Sequence, residues 1–154
     1  MVTSDKRIAC VAALAGLLVV PLVLLVTGEE SPGPSDDLWA AIVQVESGGN
    51  AGAYNRRGGA AGIAQIRAVA VKDLNRIARL RGLEARYALA DRYDSAKSRE
   101  MWRLYLAFYG ARYTKQTGEA PTDEVYARIW NGGPSGWAKN ATQGYWDRVQ
   151  TAFE

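Results

Sequence analysis

Apolar side chains recur three and four residues apart through most of the chain after residue 35, and no stretch alternates polar and apolar residues over a sustained length. Spacings of three and four follow one face of an α-helix, whereas a half-buried strand requires a period of two. The pattern therefore predicts an all-α or nearly all-α fold. About 125 residues follow the N-terminal apolar segment, enough for one domain that buries roughly two-thirds of its unfolded surface.

The N-terminal segment is the most apolar part of the chain, since residues 8–26 contain no charged side chain and follow Lys6 and Arg7. Such a run can span a bilayer with its basic end in the cytoplasm. A signal peptide cleaved before Glu29 is the alternative, and the length of the run favours a retained anchor. A buried core helix is a weaker third interpretation, because so short a chain could not cover it. The predicted segments are an anchor or signal peptide at 1–28, a linker at 29–35 and a globular domain at 36–154.

Glycine, proline and capping residues divide the globular part into five predicted helices. A glycine-rich stretch from Gly48 to Gly62 separates the first two and predicts a loop, and Gln65 falls near the first turn of the second. The predicted helices run from Ser35 to Glu46, from about Ala61 to Arg81, from Ser95 to about Tyr113, from Thr122 to Trp130 and from about Ala138 to Phe153.

Glu46 ends the first predicted helix on the same row as Trp39 and Val43, at positions i+7, i and i+4. This spacing places a carboxylate at the edge of an apolar stripe and at the negative end of the helix dipole. Both effects disfavour the charged form and raise the pKa. A carboxylic acid that stays partly protonated near neutral pH suits a general acid. The alternative interpretation is a solvated glutamate at a helix end.

The composition excludes several classes of chemistry. The chain has no His, which excludes Ser-His-Asp and Cys-His catalysis and argues against a conventional zinc site. The single Cys10 lies in the apolar run, so the globular part forms no disulfide. A net charge of +3 is too small to indicate nucleic acid. Eight Tyr and five Trp against two Phe suit a half-wet groove such as a sugar-binding cleft, although core packing explains any single ring equally well.

Four short motifs follow one another in a fixed order along the globular part. They are Glu46-Ser47, Gly62-Ile-Ala-Gln65-Ile, Ile129-Trp-Asn-Gly-Gly-Pro134 and Gly144-Tyr-Trp-Asp-Arg-Val149. In this order and spacing they resemble the motifs of the soluble lytic transglycosylase family, which has a lysozyme-like helical fold and cleaves the glycan strands of bacterial peptidoglycan. The resemblance covers residues 36–153, and each motif alone would be a weak signal.

The resemblance assigns expected roles to residues of this chain. Glu46 is the expected catalytic acid/base, and Tyr145 the tyrosine that hydrogen-bonds and positions it. Trp130 stands where the family usually has Tyr, and Gly132 where Ala is common. The expected substrate-binding residues are Ser47, Tyr54, Gln65, Trp130, Asn131 and Gly132.

The implied reaction cleaves the bond between N-acetylmuramic acid and N-acetylglucosamine and closes a 1,6-anhydro ring, without a metal or organic cofactor. It needs one carboxylate assisted by the substrate, and no second acid stands at a junction comparable to that of Glu46. A hydrolytic muramidase on the same fold and a non-catalytic wall-binding module are the alternatives. The expected partner is the glycan strand, with membrane contact through 8–26 if that segment is retained. We expect a monomer acting outside the cytoplasm, in the periplasm or cell envelope.

Overall fold

The computed structural model of the protein describes residues 33–84 and 86–153, and five α-helices form most of this part. A hairpin of two short antiparallel strands, in which Tyr54 pairs with Ala61, lies between the first two helices. The prediction of a nearly all-α fold is therefore confirmed. The elements are α1 (Asp36–Ser47), β1 (Tyr54–Asn55), β2 (Ala60–Ala61), α2 (Ala68–Leu80), α3 (Ser95–Thr117), α4 (Asp123–Gly132) and α5 (Gln143–Thr151), with 3₁₀ turns at Leu89–Tyr93, Gly136–Ala138 and Asn140–Thr142.

Three helices begin where a polar side chain satisfies free backbone N–H groups of the first turn. The Ser35 side chain accepts from Leu38 N, that of Asp94 from Ala96 N and Lys97 N, and that of Thr122 from Val125 N. These starts agree with the predicted ones, because a cap is a local interaction that can be recognised from the sequence.

The central helix α3 packs against both α2 and α4, while α5 packs against α1 and α4. Trp102 of α3 is fully buried, and its ring lies 5.2 Å from that of Trp39 on α1. This packing brings the C-terminal end of α1 beside α5, although the two helices are nearly a hundred residues apart in sequence. The other fully buried large apolar residues are Leu38, Ile42, Ile66, Leu74, Ile77, Met101, Leu106, Ile129 and Val149.

The second helix begins at Ala68 and not near Ala61 as predicted. Gly62 has a φ of +78° and Gln65 a φ of +50°, values that a right-handed helix does not allow. Ala61 and Ile66 instead form an antiparallel bridge, so residues 61–67 fold as a turn that continues the hairpin. The apolar spacing in this stretch reflects burial in a turn, which periodicity does not distinguish from a helix.

The last helix is also shorter than predicted, since α5 begins at Gln143 and ends at Thr151. Before it, the buried Thr142 hydroxyl accepts from Arg128 Nε at 3.1 Å and lies 2.8 Å from the carbonyl oxygen of Gly136. These long-range bonds hold the chain in two 3₁₀ turns. Phe153 lies beyond the helix and is 41% exposed.

Two other predicted helix ends are too early, because α3 continues to Thr117 and α4 to Gly132. Each stops at the next glycine with a positive φ, Gly118 and Gly133 respectively. The predicted membrane segment 8–26 lies outside the described residues. No helix in the part that the structure describes is long and apolar enough to cross a membrane.

Candidate active site

Glu46 lies in the last turn of α1 and is half-buried. Its Oε1 accepts a hydrogen bond of 2.8 Å from the hydroxyl of Tyr145. Burial raises the pKa of Glu46, and this effect outweighs the hydrogen bond from Tyr145 and the positive charge of Arg148, which both lower it. The carboxyl group therefore has the raised pKa that helix geometry predicted, with desolvation as the main cause.

Tyr145 on α5 is the partner that holds this acid. The residue is only 4% exposed, and burial, followed by the negative charge of Glu46, raises its pKa. The phenol therefore stays protonated and acts as the donor. The guanidinium of Arg148 lies 5.6 Å from the centre of the Tyr145 ring and donates to the carbonyl oxygen of Gly144. A cation is thus held near the acid through the same helix.

Glu46 opens onto a groove of about 800 Å³ formed by the hairpin, α2, α3 and the C-terminal end of α4. Five of the predicted site residues line it: Glu46, Gln65, Trp130, Asn131 and Gly132. They come from three separate parts of the chain, so the fold brings together side chains that the motifs only placed in order. A volume of this size lies within the range of about 300–1,000 Å³ that is typical of ligand sites.

Gln65 is held rigidly at the wall of the groove. Its Nε2 donates to the carbonyl oxygens of Gly62 at 3.0 Å and of Ala53 at 3.4 Å. Because both acceptors are carbonyl oxygens, the amide must present its nitrogen to the turn. No described residue donates a hydrogen bond to the remaining amide oxygen in the structure, which leaves an acceptor free for a ligand.

Two predicted substrate-binding residues do not line the groove. The Ser47 hydroxyl donates to the carbonyl oxygen of Ile63 at 2.7 Å and so ties the end of α1 to the turn that carries Gln65. Tyr54 is 56% exposed on β1, and it is its neighbour Asn55 that lines the groove. Ser47 is therefore placed to position the wall of the site, and Tyr54 lies outside it.

The end of α4 forms another wall, where Trp130 meets Tyr105 edge to face with the ring centres 5.8 Å apart. A Cβ atom on Gly132 would lie only 2.5 Å from the methyl group of Thr142. This contact explains why the chain has glycine at a position where Ala is common in the family that the sequence resembles. The carbonyl oxygen of Gly132 also accepts from Lys139 Nζ at 2.6 Å.

No motif in the sequence singled out Asp73 of α2, a second carboxylate that lines the groove from within a helix. Both oxygens of Asp73 are engaged: Tyr109 of α3 donates to one at 2.6 Å and Arg76 Nε to the other at 2.8 Å. Arg76 also donates to the Tyr109 hydroxyl at 3.1 Å. The apolar spacing of α2 predicted a helix. It did not show which residues of that helix face the groove.

Within residues 33–84 and 86–153, no group of three or more Cys, Asp or Glu side chains lies close enough together to hold a metal ion.

The chain is similar in sequence and in fold to known proteins. Among curated proteins, the chain is 50% identical to Lysozyme 1 of Crassostrea virginica over 42 residues, which are 27% of this chain and 23% of that protein. The match thus spans less than a quarter of that relative. Among solved structures, it is similar to a chain in the crystal structure of Aeromonas hydrophila PliI in complex with Meretrix lusoria lysozyme, with 28% identity, a TM-score of 0.60 and coverage of 77% of this chain and 89% of that chain.

The family comparison covers most of the sequence. Residues 27–143 match the family model described as the Transglycosylase SLT domain, a member of the lysozyme-like superfamily. The matched range includes Glu46 and the groove residues of α2 and α4, and ends just before Tyr145. Together with the mostly helical fold, this match shows that the chain belongs to the SLT transglycosylase domain family.

Proposed function

We propose that the chain is a peptidoglycan lytic transglycosylase that cleaves the β-1,4 bond between N-acetylmuramic acid and N-acetylglucosamine. The observation that carries this proposal is the position of Glu46, a half-buried acid with a raised pKa at the wall of the groove. Family membership and the similarity to lysozymes support action on cell-wall glycans, and hence outside the cytoplasm. The groove is the expected place for the strand, with Gln65 and Asn131 as its polar contacts.

In the proposed reaction, Glu46 gives its proton to the glycosidic oxygen as the bond to the muramic C1 breaks. The acetamido oxygen of the substrate stabilises the positive centre at C1. The Glu46 carboxylate then takes the proton of the muramic C6 hydroxyl, whose oxygen bonds to C1 and closes the anhydro ring. No water is consumed and Glu46 ends protonated, so one carboxylate is sufficient. Tyr145 holds that carboxylate in place in both protonation states.

Hydrolysis is the second candidate, and the observation that favours it is Asp73 in the same groove. A hydrolytic enzyme needs a group that activates water, and a carboxylate is the usual choice. Against this, the bonds from Tyr109 and Arg76 already occupy both oxygens of Asp73. Asp73 is thus better suited to position Tyr109 than to hold a water molecule.

Mass spectrometry of purified peptidoglycan after digestion tests the two candidates directly. We expect anhydromuropeptides from the wild-type protein and from Asp73→Asn, with the rate of the variant lower by about tenfold because a positioning interaction is lost. Reducing-end products would instead establish hydrolysis. If those products also disappear in Asp73→Asn, Asp73 is the water-activating base. Absence of any product would indicate a wall-binding module.

Tyr145→Phe is expected to lower kcat by about tenfold to a hundredfold, because removing one hydrogen bond loosens the acid without removing it. The ring packing is retained, so the thermal midpoint should change little. Steady-state kinetics on purified glycan strands provides the measurement. An unchanged kcat would remove the positioning role from Tyr145.

Arg148→Ala is expected to shift the alkaline limb of the pH–rate profile to higher pH. The positive charge of Arg148 lowers the pKa of Glu46, so removing it raises that pKa further. A general acid works below its pKa, and a higher pKa therefore extends activity to higher pH. Lys72→Ala, which removes an exposed cation from α2, is the matched control and should leave the profile unchanged. A shift to lower pH would contradict the assigned sign.

A further inference from the structure

A second concave site lies beside the groove, between the C-terminal end of α2 and the C-terminal half of α3. It encloses about 520 Å³ and is lined by four cationic side chains, one aromatic ring and one alanine. None of the lining residues is acidic. They are Arg76, Arg81, Phe108, Ala111, Arg112 and Lys115, which we call the cationic pocket.

Three of the four cations of this pocket are not neutralised by any residue that the structure describes. Only Arg76 forms an ion pair, and its partner Asp73 lies in the groove outside the pocket. Arg81, Arg112 and Lys115 form no ion pair with any residue that the structure describes. A concave surface lined by one sign of charge concentrates the field and attracts counterions. The unpaired cations therefore point to an anionic ligand.

The ring of Phe108 lies close to two of these cationic side chains. The guanidinium carbons of Arg76 and Arg81 lie 5.5 and 5.8 Å from the centre of its ring. Arg112 and Lys115 follow Phe108 at i+4 and i+7 on α3, on the same helix face. Two of the four cations thus lie over one ring, which limits the orientations of their guanidinium groups.

The type of cation indicates the type of anion. Three of the four are arginines, whose planar groups donate paired hydrogen bonds to phosphate oxygens. The pocket adjoins the groove through Arg76, which also contacts the groove residues Asp73 and Tyr109. A ligand bound there would lie next to a strand in the groove. We propose that the cationic pocket is a binding site for phosphate esters, carried by a polymer of the cell envelope or by a lipid headgroup.

Isothermal titration of the full-length protein with tripolyphosphate tests the chemistry. Arg81→Ala/Arg112→Ala should weaken binding by at least about tenfold, because two charge-assisted contacts are lost. Arg56→Ala/Arg57→Ala removes two exposed cations of the hairpin that line neither cavity, and should weaken it less than about twofold. No binding by the wild type, equal losses in both double variants, or equally tight binding of citrate would each overturn the proposal.

The source of the phosphate is separated by two further titrations of the same variants, with soluble polyglycerol phosphate and with phosphatidylglycerol vesicles. If Arg81→Ala/Arg112→Ala lowers the affinity only for the soluble polymer, the ligand is an envelope polymer. If it lowers the affinity only for the vesicles, the ligand is a lipid headgroup. Unchanged affinity for both the polymer and the vesicles overturns the proposal. Cleavage of phosphate-free peptidoglycan by Arg81→Ala/Arg112→Ala should remain at the wild-type rate, because the site is independent of the proposed catalysis.

Discussion

Glu46→Gln is expected to reduce the rate of glycan cleavage by about 10²–10⁴-fold, because general acid catalysis is worth this much and neither of the other two acids of α1 lines the groove. The amide has nearly the same shape and can still accept the hydrogen bond from Tyr145. It cannot donate a proton to a leaving oxygen at neutral pH. The change therefore removes the chemistry and leaves the geometry.

The folding stability of this variant should not fall at neutral pH. Since the pKa of Glu46 is raised in the folded state, ionisation of the acid opposes folding above the unfolded-state pKa, and a neutral amide avoids this cost. Glu84→Gln is the matched control, as it makes the same change at an exposed position. Rates of muropeptide release and thermal midpoints should be measured for both. A Glu46→Gln variant that retains most of the wild-type rate would remove Glu46 from the reaction.

The parts of the fold that the sequence predicted are those with a local cause. Ser35, Asp94 and Thr122 each satisfy N–H groups a few residues away, so the starts of three helices could be recognised without tertiary information. The larger errors lie in residues 61–67 and 138–142, where bonds from Arg92 and Arg128, more distant in the chain, hold turns in place of helix. Propensity and spacing carry no information about such contacts.

The candidate site shows the same division. The motifs brought Glu46, Gln65 and Asn131 to attention, and all three line one groove. Asp73 and Tyr109 belong to the same groove, but they stand in helices at positions that a periodic pattern treats as ordinary helix surface or core. Asp73 and Tyr109 line the groove because α2 and α3 pack side by side, and this packing cannot be read from either helix alone. Motif residues can be recognised one at a time in the sequence, whereas a groove forms only when helices pack against one another.

Gly62→Ala is expected to lower the free energy of unfolding by about 2–5 kcal/mol, the sum of a left-handed backbone and an overpacked contact. Its φ is +78°, and a Cβ atom would lie 1.5 Å from the carbonyl oxygen of Arg92. That carbonyl cannot move freely because it accepts from the Ser98 hydroxyl at 2.9 Å. The Arg92 side chain also donates to the carbonyl oxygens of Gly59 and Ile66. The turn must therefore shift instead.

Gly59→Ala separates the two causes. Gly59 also has a positive φ, of +64°, but a Cβ atom there would meet no atom within 4 Å. We expect it to cost only about 1–2 kcal/mol, the backbone cost alone. Chemical denaturation of both variants gives the comparison, and equal losses would show that the approach to Arg92 is unimportant. Because the carbonyl oxygen of Gly62 holds the Gln65 amide, only Gly62→Ala should also reduce cleavage in the folded protein.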